Sequence, residues 1–203
     1  LSPILGLLLY FLFGRSGLTR HTRKKMDDAE SEVAVHLKRD EAAEKALRAE
    51  SIGAFRQSEY IREWGHFPLC QRTTTHYYKC GEEMFPDMLA ALEGAEHFIF
   101  LEYFIIEEGY MFNTVVDILE RKVKEGVEVR LIYDDVGCVG TLPAGYYKKL
   151  QKKGIKCAAF NPFRPIISVV MNNRDHRKIL VADGTVGFTG GINLADEYIN
   201  KVE

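Results

Sequence analysis

Nothing in the 203 residues sets cysteines at metal-ligand spacing: Cys70, Cys80, Cys138 and Cys157 stand far apart, and no pattern demands a disulfide. They read as ordinary thiols of a reducing compartment. A basic excess is also missing. The formal net charge is −2, which gives no support to a nucleic-acid footprint, and no nucleic-acid partner is expected. Internal repeats and low-complexity tracts are absent, which excludes solenoids and compositionally biased linkers. With 46% hydrophobic and 28% charged residues, disorder is excluded and one domain with a real core is within reach.

Charge is missing altogether from residues 1–14 (LSPILGLLLYFLFG). As a helix this stretch covers ~21 Å, short of the ~30 Å hydrocarbon core. Arg15, Arg20, His21, Arg23, Lys24 and Lys25 follow with no acid among them. Apolar run and then basic cluster is the order of a membrane helix leaving on the cytoplasmic side, and the reverse of a secretory signal peptide. A transmembrane helix over 1–14 is therefore expected. The chain begins at Leu1 rather than Met and stops at Glu203 directly after a motif-rich segment, so it reads as a piece of a longer protein.

Residues 15–66 read as a basic collar and a charged helical linker. Glu41/Lys45 and Glu44/Arg48 stand at i, i+4, the pattern of a solvated helix. From residue 67 onwards the texture is that of a packed α/β domain. Gly81, Glu82 and Glu83 open an amphipathic helix with Phe85, Met88, Leu89 and Leu92 at helical spacing, and HFIFLEYFII (97–106) is an apolar strand. A helix over Asn113–Glu125, a strand over Val127–Tyr133, a helix over Gly145–Lys153 and a short strand over Ile155–Phe160 follow. Such alternation implies parallel pairing in a layered sheet. The end differs: two apolar runs, Lys178–Ala182 and Thr185–Thr189, joined by Asp183-Gly184, are a strong hairpin signal.

The chemistry concentrates in NNRDHRKILVADGTVGFTGGIN (172–193), which holds His176-x-Lys178-x4-Asp183-x6-Gly190-Gly191-x-Asn193. Composition alone would produce H-x-K-x4-D about 0.02 times in this chain. On a strand His176 and Lys178 project to one side, ~6.5 Å apart, a spacing suited to gripping one phosphate. A neutral imidazole attacks phosphorus, and an ammonium neutralises the oxygens as charge builds. Gly190 and Gly191 leave room for close backbone approach, and Asn193 offers an amide N–H. Asn193 to Tyr198 reads as a helix start, whose free N–H groups favour an anion. Asp183 has two readings, a member of the site or a turn residue of the hairpin.

Four further acids invite weighing. Glu102, beside Tyr103 in mid-strand, either lines the site or pairs a buried cation such as Arg130. Asp134 and Asp135 end a strand at the edge where α/β ligands bind, but no histidine accompanies them, and no metal is expected there. Glu197 is a candidate for orienting a histidine.

The string resembles the HKD motif of the phospholipase D superfamily. The surrounding words LEYFIIEEG (101–109), VEVRLIYDDVG (127–137), FNPF (160–163), NNRDHRKILVADG (172–184) and GFTGGINLADEYIN (187–200) resemble bacterial cardiolipin synthases. The likeness runs from about Thr75 to the end, and the apolar run with its basic collar is similar to that family's second membrane helix. Ala182 stands where a larger aliphatic is usual, and residues 67–73 depart from the family's pattern.

The resemblance implies the first half of a phospholipase D-like α/β fold, a layered sheet flanked by helices and preceded by a membrane helix. It implies catalytic His176, Lys178 and Asp183, substrate contacts from Glu102, Gly190, Gly191 and Asn193, and neither cofactor nor metal. The reaction implied is phosphatidyl transfer between two phosphatidylglycerol molecules through a phosphatidyl-histidine, giving cardiolipin and glycerol. A second HKD motif is then expected downstream in the same chain, with the domain on the cytoplasmic side of a bacterial plasma membrane rich in anionic lipid. The alternatives are a phosphodiester hydrolase of the same superfamily and a lipid-head-group binder without turnover.

Overall fold

The computed structural model describes residues 3–13, 20–162 and 173–201. The chain divides into two compact units, one of residues 17–77 and one of residues 1–16 with 78–203. Arg15 of the basic run, Phe163 and Asn172 lie outside the described residues.

The apolar run forms helix α1, Pro3–Phe13, with Ile4, Leu7 and Tyr10 exposed. Its 11 residues rise only ~16 Å. Among the described residues no helix is long and apolar enough to cross a membrane, so the spanning helix expected over 1–14 is matched only by this shorter one.

The smaller unit contains α2 (Arg20–Ala34), α3 (Glu41–Glu50) and α4 (Ile52–Gly65). Asp40 caps α3 by accepting from the Ala43 N–H at 2.9 Å, and Ser51 both ends α3 and caps α4. From residue 17 onwards, the charged helical linker expected over 15–66 falls within this unit. Because α3 packs on α4, Ala43 and Glu44 are buried, and Glu44 pairs with Arg39 at 2.5 Å and Arg62 at 3.8 Å rather than with Arg48.

The larger unit is built on a five-stranded mixed sheet in the order β3-β2-β1-β4-β5. Its elements are α5 (Gly81–Glu93), β1 (Phe98–Tyr103), α6 (Tyr110–Lys124), β2 (Glu128–Asp134), α7 (Tyr147–Lys152), β3 (Lys156–Phe160), β4 (Lys178–Ala182) and β5 (Val186–Thr189). The β–helix–β alternation makes β1, β2 and β3 parallel, as a crossover helix demands, while β4 returns antiparallel on β1. The β4–β5 hairpin turns on Asp183 (φ 52°) and Gly184 (φ 65°), the two left-handed positions of a type I′ turn, closed by the Thr185 N–H to the Ala182 carbonyl.

Strand alternation sorts the sheet into two unlike faces. Ile99, Leu101, Tyr103, Val129, Leu131, Tyr133 and Leu180 are buried with Met88 and Leu92 of α5 and Phe112, Val115 and Leu119 of α6. The opposite face, with Phe100, Glu102, Ile132, Ile179 and Val181, is only half-buried and lines a shallow groove of about 380 Å³. Helix α6 begins three residues before the expected Asn113. Gly109 offers no capping side chain, and Asp196, 86 residues on, accepts from the Tyr110 N–H at 2.8 Å. No local pattern could show that cap.

Candidate active site

The carboxyl end of β1, the loop after β2 and the chain entering β4 meet at one edge of the sheet, where α/β folds place ligands. Lys178 is the first residue of β4 and pairs with Tyr103 at the end of β1. Its side chain falls on the helix-covered face, only 4% exposed. The ammonium donates to the His176 carbonyl at 2.8 Å and lies 5.0 Å from the centre of the Phe104 ring. Burial pushes its pKa down from the ordinary lysine value, with Asp175 pulling the other way. His176 itself is exposed, its ring 4.6 Å from the Phe104 ring. The structure brings His176 and Lys178 against one aromatic ring, although His176 lies ahead of β4 rather than on the strand expected to carry both.

Asp183, which has two readings in the sequence, sits at the turn. It stands five residues beyond Lys178, ~17 Å along the strand, at the hairpin end. There its carboxylate accepts from the backbone N–H groups of Glu96 (2.8 Å), His97 (2.9 Å) and Phe98 (2.8 Å). Those bonds, from Glu96 and Phe98 above all, hold its pKa below the usual carboxylate value. The residue fastens the hairpin to the start of β1 and does not reach His176.

Asn193 is also placed away from His176 and Lys178 by its own hydrogen bonds. It is 3% exposed, its Oδ1 accepts from the Ile105 N–H at 3.0 Å, and its Nδ2 donates to the Tyr198 hydroxyl at 2.7 Å. The amide is spent on holding the chain after β1. Gly190 and Gly191 do face open space, where an added Cβ would meet nothing within 4 Å. The helix start expected at Asn193 is a short 3-10 turn, Asp196–Ile199, whose first acid caps α6.

Glu102 pairs with Arg177 at 2.6 Å, not with Arg130, which pairs with Glu128. It lies on the half-buried face, opposite Lys178, because alternation sends residues 102 and 103 to different sides. Burial, with a hydrogen bond shared with Asp175, pushes its pKa up to about 7. Burial pushes the Asp175 carboxyl up as well, but its bonds with Glu102 and Arg177 outweigh this and its pKa falls. The Arg177 guanidinium, 2.6 Å from Glu102 and 3.0 Å from Asp175, braces the segment just ahead of Lys178.

Asp134 completes the brace. Fully buried, it accepts from the Gly137 N–H (3.0 Å), from Arg174 (3.2 Å) and from the Asp175 N–H (2.9 Å). Among the described residues no cluster of His, Cys, Asp or Glu has the geometry for a metal ion. Arg174, Asp175 and Arg177 went unread in the sequence although they flank His176. Their adjacency to the motif was the available signal.

The family described as "Cardiolipin synthase, PLD-like domain" matches residues 88–202. An uncharacterized protein of Streptococcus mutans is 41% identical over 201 residues, covering 99% of this chain and 44% of that protein. Cardiolipin synthase 1 of Bacillus cereus is 35% identical over 216 residues, 99% of this chain and 40% of the relative. Cardiolipin synthase of Geobacillus kaustophilus is 38% identical over 203 residues, 98% of this chain and 40% of the relative. The chain therefore spans about two fifths of the length of the curated relatives it matches.

Proposed function

We infer the function from one premise: the chain belongs to the cardiolipin synthase, phospholipase D-like domain family. It contributes one half of a site that transfers a phosphatidyl group from one phosphatidylglycerol to the hydroxyl of a second, giving cardiolipin and glycerol. The observation that carries this reading is the convergence of an exposed imidazole and a buried ammonium on one aromatic ring at the open sheet edge.

In the first step a His176 nitrogen attacks phosphorus. The N–P bond forms, the P–O bond to glycerol breaks, and a general acid outside these 203 residues protonates the departing oxygen. Lys178 neutralises the non-bridging oxygens, and its burial strengthens that interaction by excluding water. In the second step the acceptor hydroxyl gives its proton back to the same group and displaces the histidine. The two steps together exchange one phosphate ester for another, so no nucleotide is consumed. The outside group is a second motif of the same kind. Helix α1 and the basic residues after it attach the protein to an anionic bilayer, with this domain on the cytoplasmic side.

The test uses the complete protein in detergent with labelled phosphatidylglycerol. Cardiolipin and glycerol should form together, and a quenched reaction should hold phosphatidyl label on His176 in a base-stable, acid-labile bond. His176→Asn should lower turnover at least ~10²-fold. Turnover at the wild-type rate in that variant would overturn the reading. Phosphatidic acid as the main product would assign hydrolysis instead.

A further inference from the structure

We propose that Phe104 is the positioning residue of this site, its ring face carrying the Lys178 ammonium and orienting the His176 imidazole. The inference rests on the transfer reading above. Phe104 follows β1, where the ladder stops, yet the chain there is tied down by two loops distant in sequence. The Cys138 thiol donates to the Phe104 carbonyl at 3.6 Å and accepts from the Ile106 N–H at 3.3 Å. A Cβ on Gly137 would stand 2.2 Å from the Phe104 carbonyl oxygen, so glycine is what lets that loop close on β1. From the other side, Asn193 holds the Ile105 N–H, and the Leu194 N–H donates to the Ile105 carbonyl at 3.3 Å. The ring is thus anchored through its backbone, while its faces meet the two site side chains at 4.6 and 5.0 Å.

The chemistry explains why a ring suits this place. A carboxylate against Lys178 would neutralise the ammonium and repel an incoming phosphate. An aromatic face attracts the cation through its quadrupole while bringing no net charge. Lys178 can then stay protonated despite burial and still turn its charge to the substrate. The charged residues beside it in the chain are Arg174, Asp175 and Arg177, of which Arg174 and Asp175 bond to Asp134 at the end of β2, while Glu102 lies on the other face of the sheet. Asp175 is the one that favours the ammonium.

The experiment compares wild type, Phe104→Leu and Phe104→Tyr in the complete protein. One readout is the pH profile of kcat/KM with phosphatidylglycerol. The other is the Lys178 side-chain titration, followed by NMR after isotopic labelling of lysine. In Phe104→Leu the alkaline limb and the Lys178 titration should both move to lower pH, by roughly half a unit or more, and kcat should fall about tenfold. Phe104→Tyr should restore all three, which a merely structural role would not require. If Phe104→Leu misfolds, Phe104→Met keeps the volume without the ring and should show the same shift. An unchanged Lys178 titration in a folded Leu or Met variant overturns the proposal. A wild type whose turnover does not depend on His176 overturns the transfer reading, while the lysine titration still decides the role of Phe104.

Discussion

The two ends of strand β4 use the same kind of residue, a charged side chain, for opposite purposes. At the entering end Lys178 is 4% exposed, and its ammonium rests on a carbonyl and a ring. At the leaving end the Asp183 carboxylate is met by three backbone N–H groups. The first charge is buried and under-compensated, which opposes folding and favours a ligand that completes it. The second is satisfied by the protein itself, which leaves nothing for a ligand. A single string, His176 to Asp183, therefore spans a reactive end and a fastening end.

The sharpest way to break this contrast is Lys178→Met. Turnover of the complete protein should fall at least ~10²-fold, as when a transition-state donor is removed. The melting temperature should hold or rise, since a costly buried ammonium is gone. A large fall in melting temperature would mean that Lys178 is a structural residue like Asp183.

At the other end, Asp183→Gly keeps the positive φ of the turn but removes every acceptor, and Asp183→Asn keeps the turn and one acceptor without the charge. Thermal melts should show both less stable than wild type, Gly more so, with turnover per folded molecule near normal. Severe loss of turnover at an unchanged melting temperature would return Asp183 to the site.

The smallest effect separates the two acids nearest the two ends by pH. The Asp183 pKa is lowered, so its contribution to stability is present above its unfolded pKa and is lost as pH falls through the folded one. The Glu102 pKa is raised from 4.5 to about 7, so its contribution is present below 4.5 and is lost as pH rises through 7. Glu102→Gln should therefore gain stability relative to wild type between those values. The gain is on the order of 1 kcal/mol, because the Asp175 pKa shifts the opposite way and solvent screens the pair. Denaturant midpoints at three pH values would show it. A difference that does not change with pH would mean that the Glu102 pKa is not raised by folding.

Much of this was legible beforehand, and for identifiable reasons. Period-2 and period-3.6 apolar patterns are local, so the strands of the sheet and helices α5 and α6 were readable within a few residues. Asp183-Gly184 announced the hairpin because two adjacent left-handed residues demand such a pair. Lys178 was readable as a strand residue, but His176 stands before β4, so strand alternation alone did not fix where its ring lies.

Local sequence thus set the elements and the hairpin, through interactions within a few residues. Tertiary structure alone decided which charges are spent and which are left free. Asp183 finds Glu96 and Phe98, Asn193 finds Ile105, Asp196 caps α6, and Asp134 holds Arg174 and Asp175, each across 40 residues or more. A carboxylate or amide looks the same in sequence whether a backbone N–H or a substrate meets it. The difference is made by whichever distant backbone the folded sheet carries to it, and that backbone leaves no mark beside the residue it satisfies.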